Sequence, residues 1–144
     1  MTDAGDHPAI LVSNRQSLPV DEPGLAALAR ATLVAEGHEG VEVSLSLVDE
    51  NEMTDLHRRY MDEDGPTDVL SFPMDEPDEG VHVLGDVVIA PAVAARNNPA
   101  DPEGELRLLV VHGVLHLLGY NHERDAERDE MWARQERYSG MRVS

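Results

Sequence analysis

Two hydrophobic periods divide this chain into strands and helices: apolar positions alternate with polar ones in some stretches and recur every three to four residues in others. Ala9 to Ser13 is a short apolar run that predicts a strand. Pro23 to Glu36 (PGLAALARATLVAE) repeats apolar residues at helical spacing until Gly37 offers a stop. Val41, Val43, Leu45 and Leu47 alternate with Glu42, Ser44 and Ser46, the pattern of a strand with one buried face. From Asp49, DENEMTDLHRRYM predicts a helix whose opening acids suit the positive end of a helix dipole, and DEDGPTD breaks it.

The second half follows the same logic. Val69 to Phe72 reads as a strand stopped by Pro73, and Met74 to Gly80 (MDEPDEG) as an acidic surface loop. Val83 to Ala90 is a further strand closed by Pro91, and Ala92 to Arg96 a helical turn before the loop NNPADPEG. Glu105 to Leu118 is apolar nearly all round, which predicts a central helix buried on several sides and ended by a left-handed Gly119. Ala126 to Tyr138 mixes charges with Met131, Trp132 and Ala133, an amphipathic surface helix that places Trp132 in the core. Glu123 and Asp125 are suited to cap it. There is no internal repeat, and 144 residues with 41% hydrophobic content fit one domain spanning 1–144.

Composition narrows the chemistry. No cysteine is present, which removes disulfide scaffolds, zinc ribbons and thiol catalysis; any metal must be held by nitrogen and oxygen. Lysine is absent too, so Schiff-base chemistry and a P-loop lysine are excluded. With 29 acidic residues against 11 arginines the formal charge is −18, which repels a free polyanion at long range. Screening over about 8 Å at physiological salt still lets a local arginine cluster act on RNA presented by a larger assembly. No apolar run approaches the roughly 20 residues of a membrane span, and the acidic start lacks the bases of a secretory signal, so the expected compartment is the cytoplasm, with no membrane partner.

The strongest chemical signal is HGVLHLLGYNH. On a helix, His112 and His116 lie about 40° apart in rotation and about 6 Å apart in rise, so one ion can touch both rings. Gly119 allows the chain to fold back and bring His122 to the same point. Three neutral imidazoles leave a tetrahedral position open, the feature that separates a catalytic from a structural zinc. A water held there can lose a proton near pH 7, giving a nucleophile for hydrolysis. The same spacing occurs in the metzincin peptidases, but the residue after the first histidine, their general base, is here Gly113. That glycine offers either room for a bulky substrate or close packing of the helix. His7, His38, His57 and His82 have no partner at ligand spacing and read as surface residues.

HGVLHLLGYNHE, GPTDVLSFP (Gly65 to Pro73) and LGDVVIAP (Leu84 to Pro91), in that set, resemble the YbeY family of metal-dependent endoribonucleases over roughly residues 41 to 137. The resemblance implies an α+β fold in which a small mixed sheet packs with helices, and a metalloprotease-like three-histidine site on the central helix. It implies one zinc ion on His112, His116 and His122 and cleavage of single-stranded RNA rather than DNA. It further implies maturation of the 3′ end of small-subunit (16S) ribosomal RNA, ribosome quality control, and partners among ribosomal proteins and an assembly GTPase. Strand Val69 to Phe72 and the strand holding Asp86 would line the cleft. The chain departs from the family pattern at Met61, where an arginine usually follows the aromatic residue, and at Asn121, where many members carry aspartate.

Two further residues are catalytic candidates. Arg59 can stabilise phosphate charge, or simply pair with Asp55 four residues earlier on an exposed helix face. Asp86 can orient a ligand ring or serve as base, or hydrogen-bond backbone at a strand end. Arg96 is a weaker phosphate candidate, and Tyr120 fits packing beside the metal better than base stacking. Two other functions compete: a zinc metallopeptidase, which the missing glutamate opposes, and a noncatalytic ribosome-assembly module with a structural zinc.

Overall fold

A computed structural model of the chain describes residues 8–65, 67–78, 81–120 and 125–140. Along it run β1 (Ala9–Arg15), α1 (Glu22–Ala35), β2 (Val41–Val48), α2 (Glu50–Met61), β3 (Val69–Asp78), β4 (Val81–Ile89), α3 (Pro91–Asn97), α4 (Pro102–Leu117) and α5 (Asp125–Ser139). The strands make a four-stranded mixed sheet in the order β1-β2-β4-β3, with β1, β2 and β4 parallel and β3 antiparallel on the edge. The expected α+β class and small mixed sheet are therefore observed.

Helix starts follow from side-chain caps. Asp21 accepts from Gly24 N (3.1 Å), Asp49 from Glu52 N (2.8 Å) and Asp101 from Gly104 N (3.0 Å), each satisfying an orphan amide of the first turn. The Asp101 cap, with Pro102 at the first helical position, starts α4 three residues before the apolar pattern does. It absorbs part of the expected loop NNPADPEG. The turn expected at Ala92 to Arg96 is likewise a full short helix, α3.

The sheet has two differently occupied faces. Val43, Leu45 and Leu47 of β2, with Val87 and Ile89 of β4, pack under α1 and α4 in the main core. Val48, Leu70 and Val88 face the other way, against Met53 of α2. The second half of β2 is thus buried on both sides, where its alternation predicts one buried face; even Ser46 is covered. Strand β3 runs past Pro73, contrary to the expected stop, because it is an edge strand and its register shifts between Pro73 and Glu76. A proline is tolerated where a ladder amide is not required. The sequence expected as an acidic loop therefore contributes strand as far as Asp78, and residues 79–80 lie outside the described set.

Gly113 settles one open alternative. A Cβ placed there would lie 2.4 Å from Val87 Cγ1, so the glycine lets α4 press directly onto β4. Two burial expectations are corrected. Trp132 is 38% exposed, because the buried stripe of α5 is Met131, Gln135 and Ser139 and the indole sits off it. His57 is a capping residue of its own loop rather than a surface group: Nδ1 meets Gly65 O (2.9 Å), Nε2 meets Glu63 (3.0 Å), and its side chain is only 12% exposed.

Glu36, just past α1, ties the helices together. Its carboxylate, 9% exposed, accepts from Tyr120 Oη (2.6 Å), from Tyr138 Oη and from Arg134 Nε (3.1 Å), while the Arg134 guanidinium lies 5.1 Å above the Tyr120 ring. Burial alone would raise the pKa of Glu36, but the two tyrosines and Arg134 outweigh it and hold the group below its ordinary 4.5. The same network pushes Tyr120 up to about 12, through burial first and the Glu36 hydrogen bond second. A carboxyl depressed in the folded state stabilises above its unfolded value and loses that contribution as pH falls through the folded one. Acid unfolding followed by circular dichroism should therefore steepen below pH 4.5, and Glu36→Gln should flatten that limb while lowering stability at neutral pH.

Candidate metal centre

Helix α4 is the reason two imidazoles meet. Its capped start and its buried residues, among them Leu109, Val110, Val111, Val114 and Leu115, lock it against the sheet and α5, leaving His112 and His116 on one half-buried face. The two ring centroids are 4.8 Å apart and the planes inclined by 67°. They line a cavity of about 460 Å³ whose other walls are Val69 to Phe72 of β3 and Tyr60 and Met61 at the end of α2. Ser71 Oγ donates to Gly113 O (3.3 Å), holding the edge strand against the helix between the two histidines.

Past His116 the helix ends as expected. Gly119 takes φ +102°, Gly119 N donates to His116 O (3.0 Å) and Tyr120 N to Leu115 O (3.1 Å), so the chain turns back directly before Asn121. His122, Asn121 and Glu123 lie outside the described residues. Among the described residues no cluster of three histidines or carboxylates suited to a metal occurs.

The donor set fits a nitrogen-bound metal. His112 Nδ1 is 2.5 Å from Oε1 of Gln135, a buried α5 residue. An amide oxygen there accepts a hydrogen bond from Nδ1–H, so that the neutral His112 ring carries its lone pair on Nε2, the form in which an imidazole ligates a metal. His116 lies beside it on the same cavity wall. With no thiolate in the sequence, this nitrogen pair matches the borderline preference of zinc.

The other candidates are placed elsewhere. Asp86 pairs in register with Phe72 on the α2 face of the sheet, whereas Val87, its neighbour, meets α4. It lines a second cavity of about 350 Å³ with Arg15, Glu52 and Val88, separated from the histidine cavity by the Tyr60 and Phe72 rings, which meet edge to face at 5.1 Å. Burial raises its pKa above the ordinary carboxylate value, against a hydrogen bond from Ser46 Oγ (3.3 Å) and the charge of Arg15. Arg59 is 62% exposed and paired with Asp55 (3.0 Å); Arg96 is paired with Glu50. Neither lines the histidine cavity.

Ser71 lies within the strand Val69 to Phe72 that the resemblance places along the cleft, whereas sequence reasoning missed Gln135 and Tyr60. Gln135 had one signal: a polar residue four places from Met131 on what became the buried stripe. Tyr60 had none, because only the tertiary packing of α2 beside the edge strand β3 brings it to the histidines.

Comparison with known proteins converges on one family. The chain is 52% identical over 140 residues to the endoribonuclease YbeY of Acidothermus cellulolyticus, covering 86% of this chain and 85% of that protein. It is 48% identical to the endoribonuclease YbeY of Thermobifida fusca, over 94% of this chain and 96% of the other. A Thermotoga maritima protein solved in solution superposes with a TM-score of 0.60 at 31% identity, covering 90% of this chain and 86% of its own. With a family model described as endoribonuclease YbeY matching residues 11–141 as well, the chain belongs to the YbeY endoribonuclease family.

Proposed function

We propose that this protein is a single-strand-specific, zinc-dependent endoribonuclease that matures the 3′ end of small-subunit (16S) ribosomal RNA and serves ribosome quality control. The observation that carries the reading is the His112 and His116 pair, 4.8 Å apart on one cavity wall with Gln135 behind the first ring. His122 is the third ligand. Zinc, when bound, supplies a Lewis acid for a phosphate oxygen and makes a nearby nucleophile easier to deprotonate.

The chain's own residues supply the rest. Tyr60 stands at the rim of the cavity, more than half exposed, and offers a ring on which one unpaired base can stack, worth about 1–3 kcal/mol. That preference favours single strands. Arg59 is the nearest replacement for the family arginine lost at Met61. Its exposed pair with Asp55 is worth only about 0.3–0.5 kcal/mol, so exchanging that carboxylate for a phosphate costs little. Asp86, turned to the other cavity, serves binding or positioning there rather than proton transfer between the histidines. A carboxylate at position 113 would meet Val87 in the core, which removes the peptidase's general base on steric grounds as well as by identity.

Charge bears on partners. Arg15, Arg58, Arg59, Arg96 and Arg134 are each paired with a carboxylate, so these cations add little open positive surface against a formal charge of −18. Affinity for naked RNA is then weak, and the protein engages its substrate on the small ribosomal subunit, where ribosomal proteins, and an assembly GTPase, supply contacts. The test uses end-labelled RNA carrying the 3′ extension, naked and within the small-subunit particle. Internal cleavage is expected to be faster on the particle, to vanish on chelation and to return with zinc. Chelator-resistant cleavage, or equal rates on naked RNA of any sequence, contradicts the proposal.

A further inference from the structure

We propose that Gln135 is a positioning residue for the metal centre: it selects the His112 tautomer that carries the ring's lone pair on Nε2, and so couples the docking of α5 to metal affinity. The inference rests on the histidine-ligand reading above and extends it to a residue 23 positions downstream of the ligand. Gln135 is 3% exposed, on a stripe between Met131 and Ser139. A buried amide is costly unless its polar ends are matched, so an apolar residue would serve packing better if packing were its only task. What it meets is the one ring nitrogen of His112 that would otherwise compete for the metal, at 2.5 Å.

The direction of that bond decides the chemistry. With Oε1 toward the ring, Nδ1 must carry the hydrogen, and in the neutral ring Nε2 then carries the lone pair. With the amide reversed, the hydrogen would sit on Nε2 and ligation through it would be blocked. Gln135 is also held firmly enough to impose a choice. Met131 packs with Val111 and Leu115 of α4, flanked by Tyr120 and Tyr138, and Ser139 O accepts from Arg107 (3.1 Å). The segment between α4 and α5, which contains His122, is bracketed by Tyr120 and by α5, both fastened to Glu36. Helix α5 thus orients one ligand directly. Outer partners of this kind set ring orientation and raise ligand affinity about 10–100-fold.

The experiment has two readouts, neither of them cleavage. Long-range 15N–1H NMR on the metal-free full chain, at a pH where the ring is neutral, reports the His112 tautomer; hydrogen on Nδ1 is expected, and hydrogen on Nε2 in the wild type overturns the inference without any variant. Zinc affinity is then measured by chelator competition. Gln135→Met, apolar and of similar length, should weaken binding about 10–100-fold with unfolding cooperativity retained. Gln135→Glu, which keeps an acceptor, should restore wild-type affinity or better, and it carries the test if the methionine variant does not fold. Wild-type affinity in a folded Gln135→Met protein, or failure of Gln135→Glu to hold zinc, overturns the inference. Failure of the wild type to bind zinc instead overturns the three-histidine reading, while the tautomer still reports on Gln135 itself.

Discussion

His116→Ala is expected to leave the protein folded and to lower cleavage of single-stranded RNA by more than about 100-fold, beyond the 10–100-fold that follows loss of a partner behind a ligand. Alanine is the best helix former, and His116 lies in the last turn of α4 on its half-buried face, so the substitution removes a ligand without disturbing the packed side of the helix. The folded state does not depend on the metal in this account. The main core of α1, β2, β4 and α4 is continuous and apolar on its own. A structural zinc would behave differently, since its binding energy is folding energy. Thermal unfolding by circular dichroism together with initial cleavage rates separates the two: a variant that unfolds at room temperature supports the noncatalytic assembly module, and one that is folded but silent supports catalysis.

Gly113→Val is expected to destabilise the protein by about 3 kcal/mol or more, the upper range for overpacking a close-packed core. The added carbon atoms would occupy space already held by Val87, whose Cγ1 lies 2.4 Å from even the first of them. Val87 is fully buried in a central strand and branched at Cβ, so it cannot swing aside. Helix α4 would have to lift from β4, carrying both histidines with it. Adding Val87→Ala should recover a substantial part of the loss, and denaturant midpoints of the four proteins of this cycle measure the coupling. Were the glycine there to make room for substrate, Gly113→Val would keep its stability and raise KM instead.

Much of the fold was legible because local signals agreed with tertiary ones. The alternation at Val41 to Leu47, the apolar wrap of Glu105 to Leu118 and the glycine after it each specify one element, and all three are observed. The histidine pair was legible for the same reason, since helical spacing alone fixes its geometry. Other features depended on non-local facts. Pro73 reads as a strand stop in sequence but is harmless on an edge, and no local signal says which strand is the edge. Trp132 reads as a core residue because the pattern puts it on the apolar side of the last helix, yet the buried stripe of α5 is set by its docking onto α4, which selects Met131 and Gln135. Asp86 shares a strand with residues that touch α4 but faces α2, a parity that depends on register rather than composition. Gln135 is invisible to motif reading because its partner is one helix away.

X-ray absorption at the zinc edge of the protein as purified tests the central claim most directly. The account predicts one zinc per chain held by three imidazole nitrogens, with a single oxygen ligand from solvent that inorganic phosphate replaces, and loss of the metal in His112→Ala. Four protein ligands around the ion, or a stoichiometric metal retained without His112, would contradict it.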